Sequence, residues 1–189
     1  MPAPRHLVAV WNPAYAGDGM DAHLRLLVAA AQAARRDPEI PDEDVCVYWG
    51  QVRSRNRQQR YPYDDQIAAL AAELTTEAPA PRELQLYLTD YRTLYVCHVD
   101  LILAGDEVDA EEQRDYAPDY YARTGLRVDW WFRLRDARRL VHDDLEAVIA
   151  QLARLRNVNY GGRPVSLYGG MVDLPIVVER DDGITWFDP

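Results

Sequence analysis

Arg53, Arg55, Arg57 and Arg60 fall within eight residues, interleaved with Ser54, Asn56, Gln58 and Gln59. Guanidinium groups bind phosphate oxygens through paired N–H donors, and short polar side chains read base edges. The segment therefore has the composition of a nucleic-acid contact, and no acid interrupts it from Val45 to Tyr63. Trp49 precedes it on an apolar run, and Trp11 ends another apolar run just before Asn12-Pro13. Aromatic walls beside a basic segment are what holds an extruded base. The same residues also read as a solvated charge run and two core-closing tryptophans, and sequence alone leaves both readings open.

Other chemistry is thinner. All 21 basic residues are arginines, so a Schiff-base lysine, a phosphate-loop lysine and a Ser-Lys dyad are excluded. Asp106, Glu107, Asp109, Glu111 and Glu112 lack calcium-loop spacing and read as an exposed acidic loop. Ser166 lacks the glycines of a nucleophile elbow, His98 reads as a structural histidine, and Asp18, Asp21 and His23 read as capping and surface residues. No metal or cofactor is expected, and Cys46 and Cys97 are expected to be buried thiols. In LRVDWWFRLR, alternation puts Val128, Trp130, Phe132 and Leu134 on a core face. Trp131 then falls among Arg127, Asp129, Arg133 and Arg135, where an indole needs an arginine, a partner or a ligand.

These residues must be positioned by a mixed set of elements. Strands are expected at Leu7–Trp11, Asp44–Ser54 and Leu126–Arg135, with a hairpin of Glu83–Thr89 and Thr93–Leu103 turned at Asp90-Tyr91-Arg92. Apolar spacing predicts helices over about Met20–Arg36, Asp64–Thr76 and Asp143–Arg156. The tail adds one or two short strands. The expected class is α+β: a curled, mostly antiparallel sheet or small β-barrel flanked by about three helices, since the strands lack the periodic crossovers of a doubly wound sheet. At 189 residues a single domain, 1–189, is expected. No run approaches a membrane span, and the opening residues lack a long apolar stretch, so a cytoplasmic protein with no membrane partner is expected. The formal net charge of −10 argues against indiscriminate nucleic-acid binding but not against a local basic groove.

In order and pattern, the pieces resemble the PUA-like superfamily, in particular its EVE, ASCH and YTH-type branches. The resemblance runs from the strand ending in Trp11, through Trp49 and its arginine-rich turn, to LQLYLTDYRTLYVCHVDLILAGD, PDYY, VDWWFRL and VIAQLARLRN. It covers about three quarters of the chain, leaving the helix at 20–36 as an addition. It implies a base-binding pocket walled by Trp11 and Trp49, with Ser54 and Asn56 in the polar turn and Tyr87 and Asp90 at the hairpin end. Some ASCH-type relatives are hydrolases that use a lysine, an activity this chain does not inherit.

The leading expectation is a non-catalytic module that reads a modified base in DNA or RNA. The base stacks on Trp11 and Trp49, its edge meets Asn12, Ser54 or Asp90, and Arg53, Arg55, Arg57 and Arg60 meet the backbone. Such modules serve as recognition parts of modification-dependent restriction systems, with a nuclease or motor subunit as partner. Two alternatives remain: an acidic adaptor docking through Trp131, the PDYY stretch and Arg133, and a hydrolase of a nucleotide-like molecule using an Asp with His98 or Tyr87.

Overall fold

In the computed structural model, the residues described are 4–11, 19–53, 63–76, 83–125, 127–167, 175–180, 184 and 186–187. They form eight strands and five α-helices: β1 (Arg5–Val10), α1 (Gly19–Arg36), β2 (Val47–Val52), α2 (Asp64–Thr75), β3 (Leu84–Thr89), β4 (Leu94–Ala104), α3 (Ala110–Tyr116), α4 (Tyr120–Thr124), β5 (Val128–Val141), α5 (Leu145–Leu152), β6 (Arg156–Asn157), β7 (Arg163–Pro164) and β8 (Ile176–Glu179). The strands pair in the order β2-β5-β4-β3-β1-β8-β6-β7, an open, mostly antiparallel sheet rather than a closed barrel. The exception is β1 with β3, which run parallel with Val8 opposite Tyr87 and Val10 opposite Thr89.

The chain divides into two compact units. One comprises Met1–Trp11, Tyr61–His98 and Ala137–Pro189; the other comprises Asn12–Arg60 and Val99–Asp136. The long strands β4 and β5 run through the boundaries at 98/99 and 136/137.

In the first unit, β3 is buried along its whole length, as its leucines, tyrosine and threonine favour. Tyr87 and Val8 share a core with Val96, Val148, Leu152, Ile176 and Val178. Each such apolar side chain contributes about 1.5–3 kcal/mol on leaving water. Asp144 caps α5 by accepting from Ala147 N at 3.0 Å. The helix stops at Leu152, short of the expected Arg156, because Arg156 pairs with Glu179 of β8 instead.

In the second unit, the expected acidic loop is largely the helix α3. Asp109 Oδ1 accepts from Glu111 N (2.8 Å) and Glu112 N (2.9 Å), while Glu112 Oε2 accepts from Asp109 N at 3.3 Å. This reciprocal cap satisfies the first turn's open donors and turns an acidic run into a helix start. The PDYY stretch similarly enters α4, which ends at Gly125 with φ +58. Both cysteines are buried thiols, as expected. Among the described residues no helix is long and apolar enough to cross a membrane.

Candidate functional site

The parallel pairing of β1 with β3 decides which of the expected site residues meet. Trp11 N donates to Thr89 O at 3.1 Å, so the ladder runs on past Val10 and sets Trp11 beside the turn that begins at Asp90. Trp11 is half-buried, its ring edge-on to Tyr95 at 5.8 Å. The turn is tied from within. Asp90 Oδ1 accepts from Arg92 N (3.0 Å) and Thr93 N (2.7 Å), and Thr89 Oγ1 accepts from Tyr91 N (2.9 Å) while donating to Thr93 O (2.8 Å). It is also tied from outside: Arg92 O accepts from Asp144 N at 2.8 Å, and Arg92 Nε donates to Asp143 Oδ1 at 2.6 Å. These bonds hold Tyr91 at φ +77, a left-handed conformation that opposes an L side chain, with 41% of the residue exposed. An exposed ring held against its own backbone preference is the least expected feature of this edge. Sequence pointed to the turn, through Asp90, but not to Tyr91.

Tyr87 does not join this edge. Strand alternation sets Val8, Tyr87 and Thr89 on one face of the β1–β3 pair and Leu7, Ala9, Leu86 and Leu88 on the other, the face Trp11 continues. The expected grouping of Trp11 and Tyr87 in one pocket is corrected by that register. Tyr87 is 3% exposed; its hydroxyl donates to Gln85 Oε1 (2.5 Å) and accepts from Arg180 Nη1 (2.6 Å) and Trp186 Nε1 (3.0 Å).

Trp49 and Arg53 lie in the other unit, and each has partners there. Trp49 is 3% exposed, its ring 5.7 Å from Phe132. Arg53 grips Asp129 with both arms, Nε to Oδ2 at 2.7 Å and Nη2 to Oδ1 at 2.5 Å, with both side chains nearly buried. That cation is compensated inside the fold rather than presented to a phosphate. Asn12, Ser54, Asn56, Arg55, Arg57 and Arg60 lie outside the described residues.

Trp131 is 1% exposed, which corrects the expectation of a surface indole among charges. Its face is covered by Tyr48, Val108, Ala117 and Tyr121. The charges beside it pair laterally instead: Arg133 meets Asp100 through Nε (2.8 Å) and Nη2 (3.0 Å). An adaptor surface built on Trp131, Tyr121 and Arg133 is therefore not what this face offers. A Cβ on Gly50 would stand 2.8 Å from Trp131 Cζ3 and 2.9 Å from Tyr121 Cε1, so both rings rest on bare backbone.

His23 also departs from expectation, being an interior group of α1 rather than a surface one. Its Nδ1 is 2.6 Å from the Gly19 carbonyl oxygen and its Nε2 is 3.3 Å from the Tyr121 hydroxyl. Burial pushes its pKa down to about 4. Burial likewise holds the Tyr121 hydroxyl well above its ordinary value and raises the Cys46 thiol to about 11, so neither is poised as a nucleophile. Tyr116 is pushed up to about 12 by the bond it donates to Asp44 Oδ1 at 3.0 Å. His98 stacks on Phe187 with centroids 5.7 Å apart. Among the described residues, no three His, Cys, Asp or Glu side chains gather into a metal-binding group.

No family model matches the chain, and neither a curated protein nor a solved structure matches it significantly.

Proposed function

We propose that the chain is a PUA-like, non-catalytic nucleic-acid-binding module that holds an unpaired, modified base at the edge where β1 and β3 end. The observation that carries this reading is the pairing at that edge of a half-buried Trp11 with a turn that keeps Tyr91 exposed at positive φ. Strained, over-tied residues concentrate at ligand-contacting positions, because the surrounding bonds are retained to keep them there. The PUA-like assignment rests on the run β1-β3-β4-β5-β2, which has the β3–β4 hairpin inside it and a parallel first pair. Relative to the sequence-based expectation, Tyr91 takes over the part of second ring from the buried Trp49. Asp90 shapes the turn, and Arg55, Arg57 and Arg60 meet the backbone. A separate nuclease or motor subunit supplies any catalysis.

Fluorescence titration with short single-stranded oligonucleotides, bearing ordinary or modified bases, tests this. Trp11→Ala and Tyr91→Ala each weaken binding about 5- to 150-fold, the equivalent of about 1–3 kcal/mol of stacking. The double variant Arg55→Ala, Arg57→Ala weakens binding to every oligonucleotide and lowers its salt dependence. Unchanged affinity in both ring variants overturns the reading.

A further inference from the structure

On the opposite face of the β1–β3 pair, Trp186 sits in a slot with unusual chemistry. Its backbone N donates to Glu83 Oε1 at 3.3 Å and its indole Nε1 donates to the Tyr87 hydroxyl at 3.0 Å. The Arg180 guanidinium lies over the ring, 5.1 Å from the centroid, and Arg180 is itself only 4% exposed. Behind the slot the acceptors are oriented in series. Tyr87 donates its own proton to Gln85 Oε1 at 2.5 Å, and Gln85 Nε2 donates to Glu83 Oε1 at 2.8 Å. With its proton committed to Gln85, the Tyr87 oxygen presents lone pairs toward the ring's edge, and the Glu83 carboxylate accepts only. The slot thus combines a cation for a π face with two acceptors for two donors on one molecule.

A core-filling indole needs one partner for its N–H and apolar walls for its faces. Here an interior arginine takes one face, and the acceptors outnumber what the indole itself supplies, the second being met by backbone. A flat bicyclic ring with two adjacent N–H donors on one edge fits this arrangement without help from a backbone. Among nucleobases that is guanine, whose N1–H and N2–H groups match a carboxylate and hydroxyl pair, and whose face stacks on guanidinium. Adenine offers one donor group beside an acceptor on that edge, which would face an acceptor here.

We infer that the slot formed by Glu83, Tyr87 and Arg180 is a guanine-binding site and that Trp186 occupies it in cis, competing with the ligand. The site lies on the other face from Trp11 and does not depend on the reading of Trp11 and Tyr91. Removing the indole exposes it. Calorimetric titration of Trp186→Ala with GMP, and with AMP as control, should give binding at least tenfold tighter for GMP than the unaltered chain shows, and tighter for GMP than for AMP. Adding Tyr87→Phe, which deletes one acceptor, should abolish that gain. A folded Trp186→Ala that binds GMP no better than the unaltered chain overturns the inference, as does a gain that Tyr87→Phe leaves intact or that AMP shares equally. The unaltered chain provides a measurement that needs no core variant. With 5-fluorotryptophan incorporated and the Trp186 signal assigned by Trp186→Phe, saturating GMP should shift the ¹⁹F resonance of Trp186; five unmoved tryptophan signals refute competition in cis. Loss of oligonucleotide binding in Trp11→Ala with GMP binding retained in Trp186→Ala separates the two sites.

Discussion

Two groups of tyrosine and tryptophan in this chain are built from the same residue types and behave oppositely. Around Trp131, the rings of Tyr48 and Tyr121 are sealed with it, each at most 5% exposed, and α1 and α3 pack against β2 on that side. At the end of β1 and β3, Trp11 is half-buried and Tyr91 is 41% exposed on a turn tied by hydrogen bonds rather than by apolar packing. The first group spends its polar handles inward: the Tyr121 hydroxyl accepts from Gly50 N at 2.8 Å. The second holds one ring outward against backbone preference. Aromatic content therefore does not mark a binding surface; what covers the rings does.

If the Trp131 group is structural, removing its central ring costs stability and nothing else compensates. Trp131→Ala should lower unfolding free energy by about 3–5 kcal/mol, because a fully buried ring leaves a cavity its neighbours cannot close. Denaturant unfolding followed by circular dichroism reads this. A loss under about 1 kcal/mol, the range of ordinary surface changes, would put Trp131 with Trp11 and dissolve the contrast.

The next largest effect is a pH dependence seated in the same group. His23 titrates near its ordinary value when unfolded and at about 4 when folded, because burial disfavours the imidazolium. The unfolded chain therefore binds the proton first. Stability is full above about pH 6.5, falls as pH drops through the interval down to about 4, and loses no more from this group below that. The drop is worth about 3 kcal/mol, following the ~1.4 kcal/mol per pKa unit of linkage. Urea midpoints at pH 7, 5.5 and 4 test it against His23→Leu, in which the part of the slope due to this group vanishes. Identical slopes in the two proteins would mean that His23 is hydrated and that the group is not sealed.

The contrast also explains what the sequence disclosed and what it withheld. Strand alternation correctly put Trp130, Phe132 and Leu134 in the core, since period-two patterning is local. It set Trp131 with the charges because nothing local says that Tyr121, ten residues away, returns to cover that face. The Asp90 turn was legible from Asp-Tyr-Arg between two apolar runs, and the hairpin formed there. The parallel β1–β3 pair was not, and that register alone puts Trp11 and Tyr87 on opposite faces. The arginine run showed its charge but not its pairing, because Asp129, which Arg53 grips, lies 76 residues further on. His23 looked like a surface residue at a helix start until Tyr121 closed over it.

The smallest expected effect bears most directly on the open group, because stability and binding should move in opposite directions. Tyr91 sits at φ +77, where a non-glycine residue costs about 1–2 kcal/mol; glycine's larger entropy in the unfolded chain returns about 0.5–1 of that. Tyr91→Gly should therefore raise unfolding free energy by up to about 1 kcal/mol while weakening oligonucleotide binding as much as Tyr91→Ala does. Tyr91→Ala keeps the strain and loses the ring, so it should weaken binding with no gain in stability. The two variants separate backbone from side chain at one position. A Tyr91→Gly protein that is more stable and binds as well as the unaltered chain would show the ring to be idle. The turn's strain would then have no counterpart in function, and the exposed edge would be no more a site than the sealed cluster around Trp131.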